Sequence, residues 1–68
     1  MRTGTLKWFD ATKGYGFIVP TDGGEDVFVR GAALHEAGIS NPPEGMALSF
    51  SVERTTEGLQ ATQITEGR

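Results

Sequence analysis

The stretch KGYGFI at residues 13–18, with VFV following at residues 27–29, decides how this chain folds and what it binds. Side chains of an extended strand alternate between its two faces, so Tyr15 and Phe17 share one face. A strand that buries the two valines turns Phe28, which stands between them, toward solvent. Large rings on the wet face of a small protein indicate a flat partner that stacks on them. Because every nucleobase offers a flat face, the pattern predicts a surface for single-stranded nucleic acid.

The composition limits the chain to one small domain. Its 68 residues include ten glycines and three prolines, which favour turns and short strands over long helices. No cysteine is present, so neither a disulfide nor a thiolate metal site can supplement the core, in keeping with a reducing cytoplasm. No apolar run approaches the length of a membrane span. We expect a single cytoplasmic, monomeric domain over residues 1–68, without cofactor, metal or membrane partner.

The net charge of -3 does not favour a protein that holds nucleic acid mainly through its phosphates. The prediction therefore requires cations that are concentrated around the rings, and the sequence permits this. Lys7 and Lys13 flank the aromatic residues of the first two strands, and Arg30 closely follows Phe28. Most acidic residues fall in predicted turns or near the end of the chain, namely Asp22, Glu25, Asp26, Glu36, Glu44, Glu57 and Glu66.

Short strand candidates alternate with turn signals along the whole chain. The predicted strands cover residues 3–10, 15–20, 26–30, 47–54 and 59–65. Turns are predicted at 11–14, 21–25 and 56–58, one helical turn at 31–38 with Gly38 as its stop, and a loop at 41–45. Five short strands must hide their edges, which favours closure into a barrel.

Alternation predicts which side chains form the core, with one conflict. Leu48, Phe50 and Val52 are expected inside the fourth strand. In the first strand Leu6 and Trp8 are two residues apart, so strict alternation places them on the same face. Leu6 is nevertheless expected in the core, and Trp8 is expected on the outer, binding face. A bulge or strong twist would place Trp8 on the surface, whereas strict alternation would place it in the core. The sequence leaves both open.

Several segments together resemble the bacterial cold-shock proteins. They are Gly4, KWFD at 7–10, KGYGFI at 13–18, DVFV at 26–29, Glu44-Gly45 and Val52, in family order over nearly the whole length. RNA-recognition-motif domains carry a similar glycine-aromatic segment, but they need two helices and a longer chain. The resemblance implies an all-β fold, a five-stranded antiparallel OB-fold barrel.

The resemblance also implies binding of single-stranded RNA and DNA, and RNA-chaperone activity that melts secondary structure. Some family members act in transcription antitermination or in translation control. Carried over by position, the binding residues would be Lys7, Trp8, Asp10, Lys13, Tyr15, Phe17, Phe28 and Arg30, with Phe9 at the margin.

The chain departs from the common bacterial pattern at positions that matter for binding. Arg30 and Gly31 replace the usual histidine and phenylalanine, Ile39 replaces an aromatic residue of the long loop, and Asp10 stands where asparagine is frequent. Stacking contributes about 1–3 kcal/mol per base, so each lost ring costs about tenfold in affinity. We expect weaker binding, or a shorter footprint, than in a member with all its aromatics.

Other interpretations of the same residues stay open. The rings could form core, the lysines could be ordinary solvated charges, and Arg30 could pair with Asp10, Glu25 or Asp26. The whole chain could be a peptide-binding β-barrel module, or a cold-shock domain with weakened binding. No Ser/His/Asp or Cys/His set exists, and the single histidine, His35, is expected in solvent without a chemical task. An enzyme is therefore not expected.

Overall fold

A computed structural model describes residues 2–40, 42–56 and 58–66. Five strands and one short helix follow each other in the order β1 Arg2–Asp10, β2 Tyr15–Pro20, β3 Val27–Arg30, α1 Gly31–Glu36, β4 Ala47–Thr55 and β5 Gly58–Glu66. Each predicted strand is confirmed, with ends that differ by no more than one residue. Asn41 and Glu57, which the sequence places in a loop and a turn, lie outside the described residues.

The strands form a closed barrel in the order β1-β2-β3-β5-β4, which closes through the pairing of β4 with β1. All contacts between neighbouring strands are antiparallel except the contact between β3 and β5, which is parallel and has Phe28 opposite Gln60. The predicted five-stranded barrel is confirmed, and this seam is the one place where its strand pairing is parallel. A ring of five strands cannot reverse direction at every contact, so one contact must be parallel.

The barrel interior is filled by aliphatic side chains and one phenylalanine. The predicted core residues Leu48 and Phe50 are fully buried, and Val52 packs against the core from a half-buried position. The remaining buried members are Leu6, Ile18, Val27, Val29, Leu34, Ile39, Ala61 and Ile64. Because these side chains occupy the inside, the large rings of β2 and β3 are left to the outer face.

An irregularity in β1 resolves the parity conflict of the first strand. The pairing of β1 with β2 shifts register between Leu6, which lies opposite Ile18, and Trp8, which lies opposite Phe17. Leu6 is buried in the core, whereas Trp8 is half-buried among other rings. Of the two placements that the sequence allowed, the bulged strand is therefore the observed one.

The helix α1 follows β3 directly and is connected to β4 by a loop. Only Leu34 of its six residues is buried, and Gly38 just beyond it has a φ of +79°, the conformation of a helix stop. The predicted helical turn is confirmed. Within residues 2–40, 42–56 and 58–66 no helix is long and apolar enough to cross a membrane.

Candidate functional site

Strand register sorts the side chains of β1, β2 and β3 into rows that lie alternately outside and inside the barrel. The central outer row contains Trp8, Phe17 and Phe28, which lie opposite one another on adjacent strands. A second outer row contains Asp10, Tyr15 and Arg30. Seven of the eight residues predicted to bind belong to these rows or to the turn between β1 and β2, and Lys7 lies at the bulge.

Four rings on this outer face form one connected cluster, the aromatic surface: Trp8, Tyr15, Phe17 and Phe28. The Trp8 ring centre lies 5.3 Å from that of Phe17 and 5.7 Å from that of Tyr15. Phe28 completes the cluster, 5.7 Å from Phe17 and 5.3 Å from Tyr15. All four side chains are half-buried. The rings pack edge-to-face, except for the tilted pair Tyr15 and Phe28, and this packing holds them in place while part of each remains accessible to a ligand.

Phe9 does not belong to this surface. It was expected at the margin of the binding residues, but it lies in the inner row with Gly16 and Val29 and packs against the core. A Cβ atom on Gly16 would collide with the Trp8 carbonyl oxygen and would come within 2.9 Å of the Phe9 Cα. The absence of a side chain at Gly16 thus lets β1 approach β2 closely, so that Phe9 packs on the inside while its neighbour Trp8 stays outside.

Lys7 is already neutralised by a carboxylate. Its Nζ lies 3.1 Å from Oδ2 of Asp26, and both side chains are partly exposed. Lys7 is at the bulge of β1 and Asp26 directly precedes β3, so the ion pair spans the intervening strand β2 beside the rings. The lysine predicted to meet phosphate must therefore leave this partner, or share it, when nucleic acid binds.

Arg30 lies at the other side of the aromatic surface. Its guanidinium carbon is 5.7 Å from the centre of the Phe28 ring, within the range of a cation–π contact. Neither of the two ion pairs found among the described residues involves Arg30 or Lys13, and both side chains are exposed. The expected alternative, in which Arg30 pairs with Asp10, Glu25 or Asp26, is not observed there.

The carboxylate of Asp10 stabilises the turn that carries Lys13. Its Oδ1 accepts hydrogen bonds from the backbone N–H groups of Thr12 at 2.9 Å and Lys13 at 3.2 Å. Asparagine and aspartate side chains often close turns in this way. Asp10 thus has a structural task besides its place in the outer row, and its charge is partly spread over backbone donors.

The loop beyond α1 supplies no ring. Ile39, at the position of a family aromatic, is 9% exposed and belongs to the core cluster. Gly31 lies close to the Phe9 ring, where a Cβ atom would be 3.3 Å from Phe9 Cζ. His35 is exposed, as expected. The accessible rings therefore end at Phe28 on this side.

Gln60 is a neighbour of the aromatic surface that sequence reasoning missed. It lies opposite Phe28 across the parallel seam between β3 and β5, and is half-buried. No local signal in the sequence reveals this, since the two residues are far apart in the chain and share a single paired position.

The comparisons with known proteins agree with this geometry. The family profile of the 'Cold-shock' DNA-binding domain matches residues 2–66. The chain is 46% identical to the cold shock-like protein CspA of Vibrio cholerae over 63 residues, 93% of this chain and 90% of that protein. It is 45% identical to the cold shock-like protein CspA of Stigmatella aurantiaca over 64 residues, 94% of each chain. With the major cold shock protein of Micrococcus luteus it shares 42% over 66 residues, 97% of this chain and 98% of that protein. The chain belongs to the cold-shock domain family and is a nucleic-acid-binding protein.

Proposed function

We propose that the protein binds unpaired RNA and single-stranded DNA as a monomer, by stacking successive bases on the aromatic surface. The observation that supports this is the outward placement of four touching rings over a core that other side chains already fill. Stacking tolerates any base because each base has a π-face, so weak sequence preference follows.

The cations around the rings would steer or neutralise the backbone of the bound strand. Lys13 and Arg30 are accessible, and Lys7 can contribute only by leaving Asp26. Each phosphate contact on a single strand adds about 0.7 to the slope of log K against log salt. Two to three contacts thus give a slope of about 1.4–2.1. A slope beyond about 5 would contradict binding dominated by stacking.

RNA-chaperone activity follows from binding that is selective for the open strand. A ligand that binds one of two states shifts the equilibrium toward that state by mass action, and no nucleotide hydrolysis or other catalysis is needed. Acting on transcripts in the cytoplasm, such melting would promote antitermination of transcription or would control translation by exposing a start region. These are the roles that we propose for the site.

The single tryptophan provides the direct test of binding. Oligo-dT, oligo-dU and a duplex of equal length are titrated into the protein at low and moderate salt while Trp8 emission is followed. We expect saturable quenching at micromolar or tighter affinity with both single strands and little with the duplex. An unchanged Trp8 signal, together with no binding by calorimetry, would overturn the proposal and favour a peptide-binding module or a domain that has lost its ligand.

Chaperone activity is tested separately with an RNA hairpin that carries a fluorophore and a quencher at its ends. Fluorescence is expected to rise with protein concentration in the absence of ATP, to the extent set by the strand affinity. The double variant Phe17→Ala/Phe28→Ala serves as the control with the same fold but a smaller stacking area. Tight binding without any opening of the hairpin would separate the two claims and reject chaperoning.

A further inference from the structure

The central outer row does not end at the rings. Phe28 of β3 lies opposite Gln60 of β5, and Gln60 in turn lies opposite Glu53 of β4. Paired residues of adjacent strands project to the same face of a sheet. The complete row around the barrel is therefore three rings, one amide and one carboxylate, in the order Trp8, Phe17, Phe28, Gln60, Glu53.

The neighbouring positions show that the last two members face outward. Ala61 beside Gln60 is buried, and Val52 beside Glu53 packs against the core. Because successive residues of a strand alternate between faces, Gln60 and Glu53 point away from the interior. Glu53 is exposed, whereas Gln60 is half-buried next to the ring of Phe28.

We propose that Gln60 is the last contact of the bound strand and that Glu53 ends the binding surface by repelling its next phosphate. The inference rests on the proposed function, since it concerns the path of the same bound strand. A base stacked on Phe28 brings its polar edge toward β5, where the Gln60 amide offers both a donor and an acceptor. Beyond it the strand meets the exposed carboxylate of Glu53, and two anions repel each other, most strongly at low salt.

The expected footprint is short as a consequence. The four rings of the aromatic surface, three of them in this row, provide for about four nucleotides, given one base per stacking platform. In the loop after α1, Ile39 offers the strand no alternative platform, because it is buried. Affinity should therefore rise with oligonucleotide length up to about four nucleotides and then level off.

A length series of oligo-dT from two to eight nucleotides tests the proposal, with Glu53→Lys and Glu53→Gln against the native protein. The matched control is Glu66→Lys, the same charge change on an exposed residue six positions from Gln60 on β5. We expect Glu53→Lys to raise the affinity for the eight-nucleotide strand about three- to tenfold at low salt, with a much smaller gain for the trimer. Glu66→Lys should raise the affinity for oligonucleotides of every length by a smaller factor. The length at which affinity stops rising should stay unchanged.

Gln60→Leu tests the amide, since it keeps the approximate size of the side chain and removes its hydrogen bonds. The affinity should fall about two- to tenfold at every length from the trimer upward, the cost of one neutral hydrogen bond. Circular dichroism and the melting temperature confirm that each variant is folded. If Glu53→Lys and Glu66→Lys change the length dependence alike, or Gln60→Leu binds as the native protein does, this inference is rejected while the stacking function stands. If no oligonucleotide binds any of the proteins, the function itself is rejected.

Discussion

The two edges of the aromatic surface carry similar cations but leave them in different states. One edge, beside the bulge of β1, contains Lys7 and Asp26, and the Lys7 ammonium lies 3.1 Å from the Asp26 carboxylate; we call it the closed edge. The opposite edge, which we call the open edge, contains Asp10, Lys13 and Arg30. There Arg30 lies over the Phe28 ring and Lys13 extends from the turn between β1 and β2. The carboxylate at the open edge, Asp10, accepts backbone hydrogen bonds instead of pairing with a cation.

This difference explains how an acidic protein can offer a cationic site. The net charge of -3 counts all ionisable side chains equally, but a bound strand meets only those beside the rings. An exposed ion pair such as the one at the closed edge stabilises the fold by about 0–1 kcal/mol. Its larger consequence is that it withholds one positive charge from the ligand. Binding should thus depend on the rings first, on the open edge second, and on the closed edge least.

The largest effect is expected from removing a ring between the two edges. Phe28→Ala should lower the affinity for oligo-dT by about tenfold or more, since one stacked base contributes about 1–3 kcal/mol. The melting temperature should fall only modestly, because the ring is half-buried and outside the core cluster. Binding is measured by calorimetry and stability by thermal denaturation.

Phe50→Ala is the matched control for that variant. It deletes the same ring from a fully buried position, which typically costs about 3–5 kcal/mol of unfolding free energy. A barrel of this size should then unfold or become marginal. If Phe28→Ala lost as much stability as Phe50→Ala, the ring would be structural and the division between surface and core would be wrong.

The open edge should matter more than the closed edge. Arg30→Ala is expected to weaken binding about three- to tenfold at low salt, and to reduce the slope of log K against log salt by about 0.7. Lys7→Ala should change the affinity less than twofold, since its charge is already compensated. Both are measured by titration at four salt concentrations. Equal losses in the two variants would show that Asp26 releases Lys7 without cost.

Lys7 at the closed edge should become available to the bound strand when the carboxylate of Asp26 is removed. Asp26→Asn is expected to raise affinity by a factor of about 1.4 to 5, in line with the roughly 0.2–1 kcal/mol of an exposed pair, and to steepen the salt slope by about 0.7. Lys7→Ala should then cost more in the Asp26→Asn background than in the native protein. Asp22→Asn removes the same charge from the pair with Arg2, 3.3 Å away, and is the control for a general change in net charge.

The sequence predicts the rings and the core well because alternation is a local rule. The order along β2 and β3 alone places Phe17 and Phe28 outward once Ile18, Val27 and Val29 are inside, and the structure agrees. Ends of strands and the short helix follow similarly from glycine and proline positions. These features need no knowledge of which strand lies beside which.

Other features depend on contacts between distant segments, and the sequence could not supply them. The ion pair of Lys7 with Asp26 depends on the bulge in β1 and on β3 lying only one strand away from β1, so that the two side chains can meet across β2. Gln60 reaches Phe28 only through the parallel seam, which exists because five strands close into a ring. The burial of Ile39 likewise depends on how the loop after α1 folds. The family resemblance identifies Ile39 as a departure at an aromatic position, but it does not predict that its side chain is buried.

The smallest effect on binding is expected at Asp10, whose charge lies at the open edge but whose main contacts are to the backbone. Asp10→Asn keeps an oxygen that can accept from the N–H groups of Thr12 and Lys13, so stability should hardly change. Asp10→Ala loses both hydrogen bonds and should cost about 1–2 kcal/mol of unfolding free energy. Affinity should rise slightly in Asp10→Asn, by less than in Asp26→Asn, because no cation is released. A gain that equals or exceeds that of Asp26→Asn would mean that repulsion at the open edge, rather than the ion pair at the closed edge, limits binding.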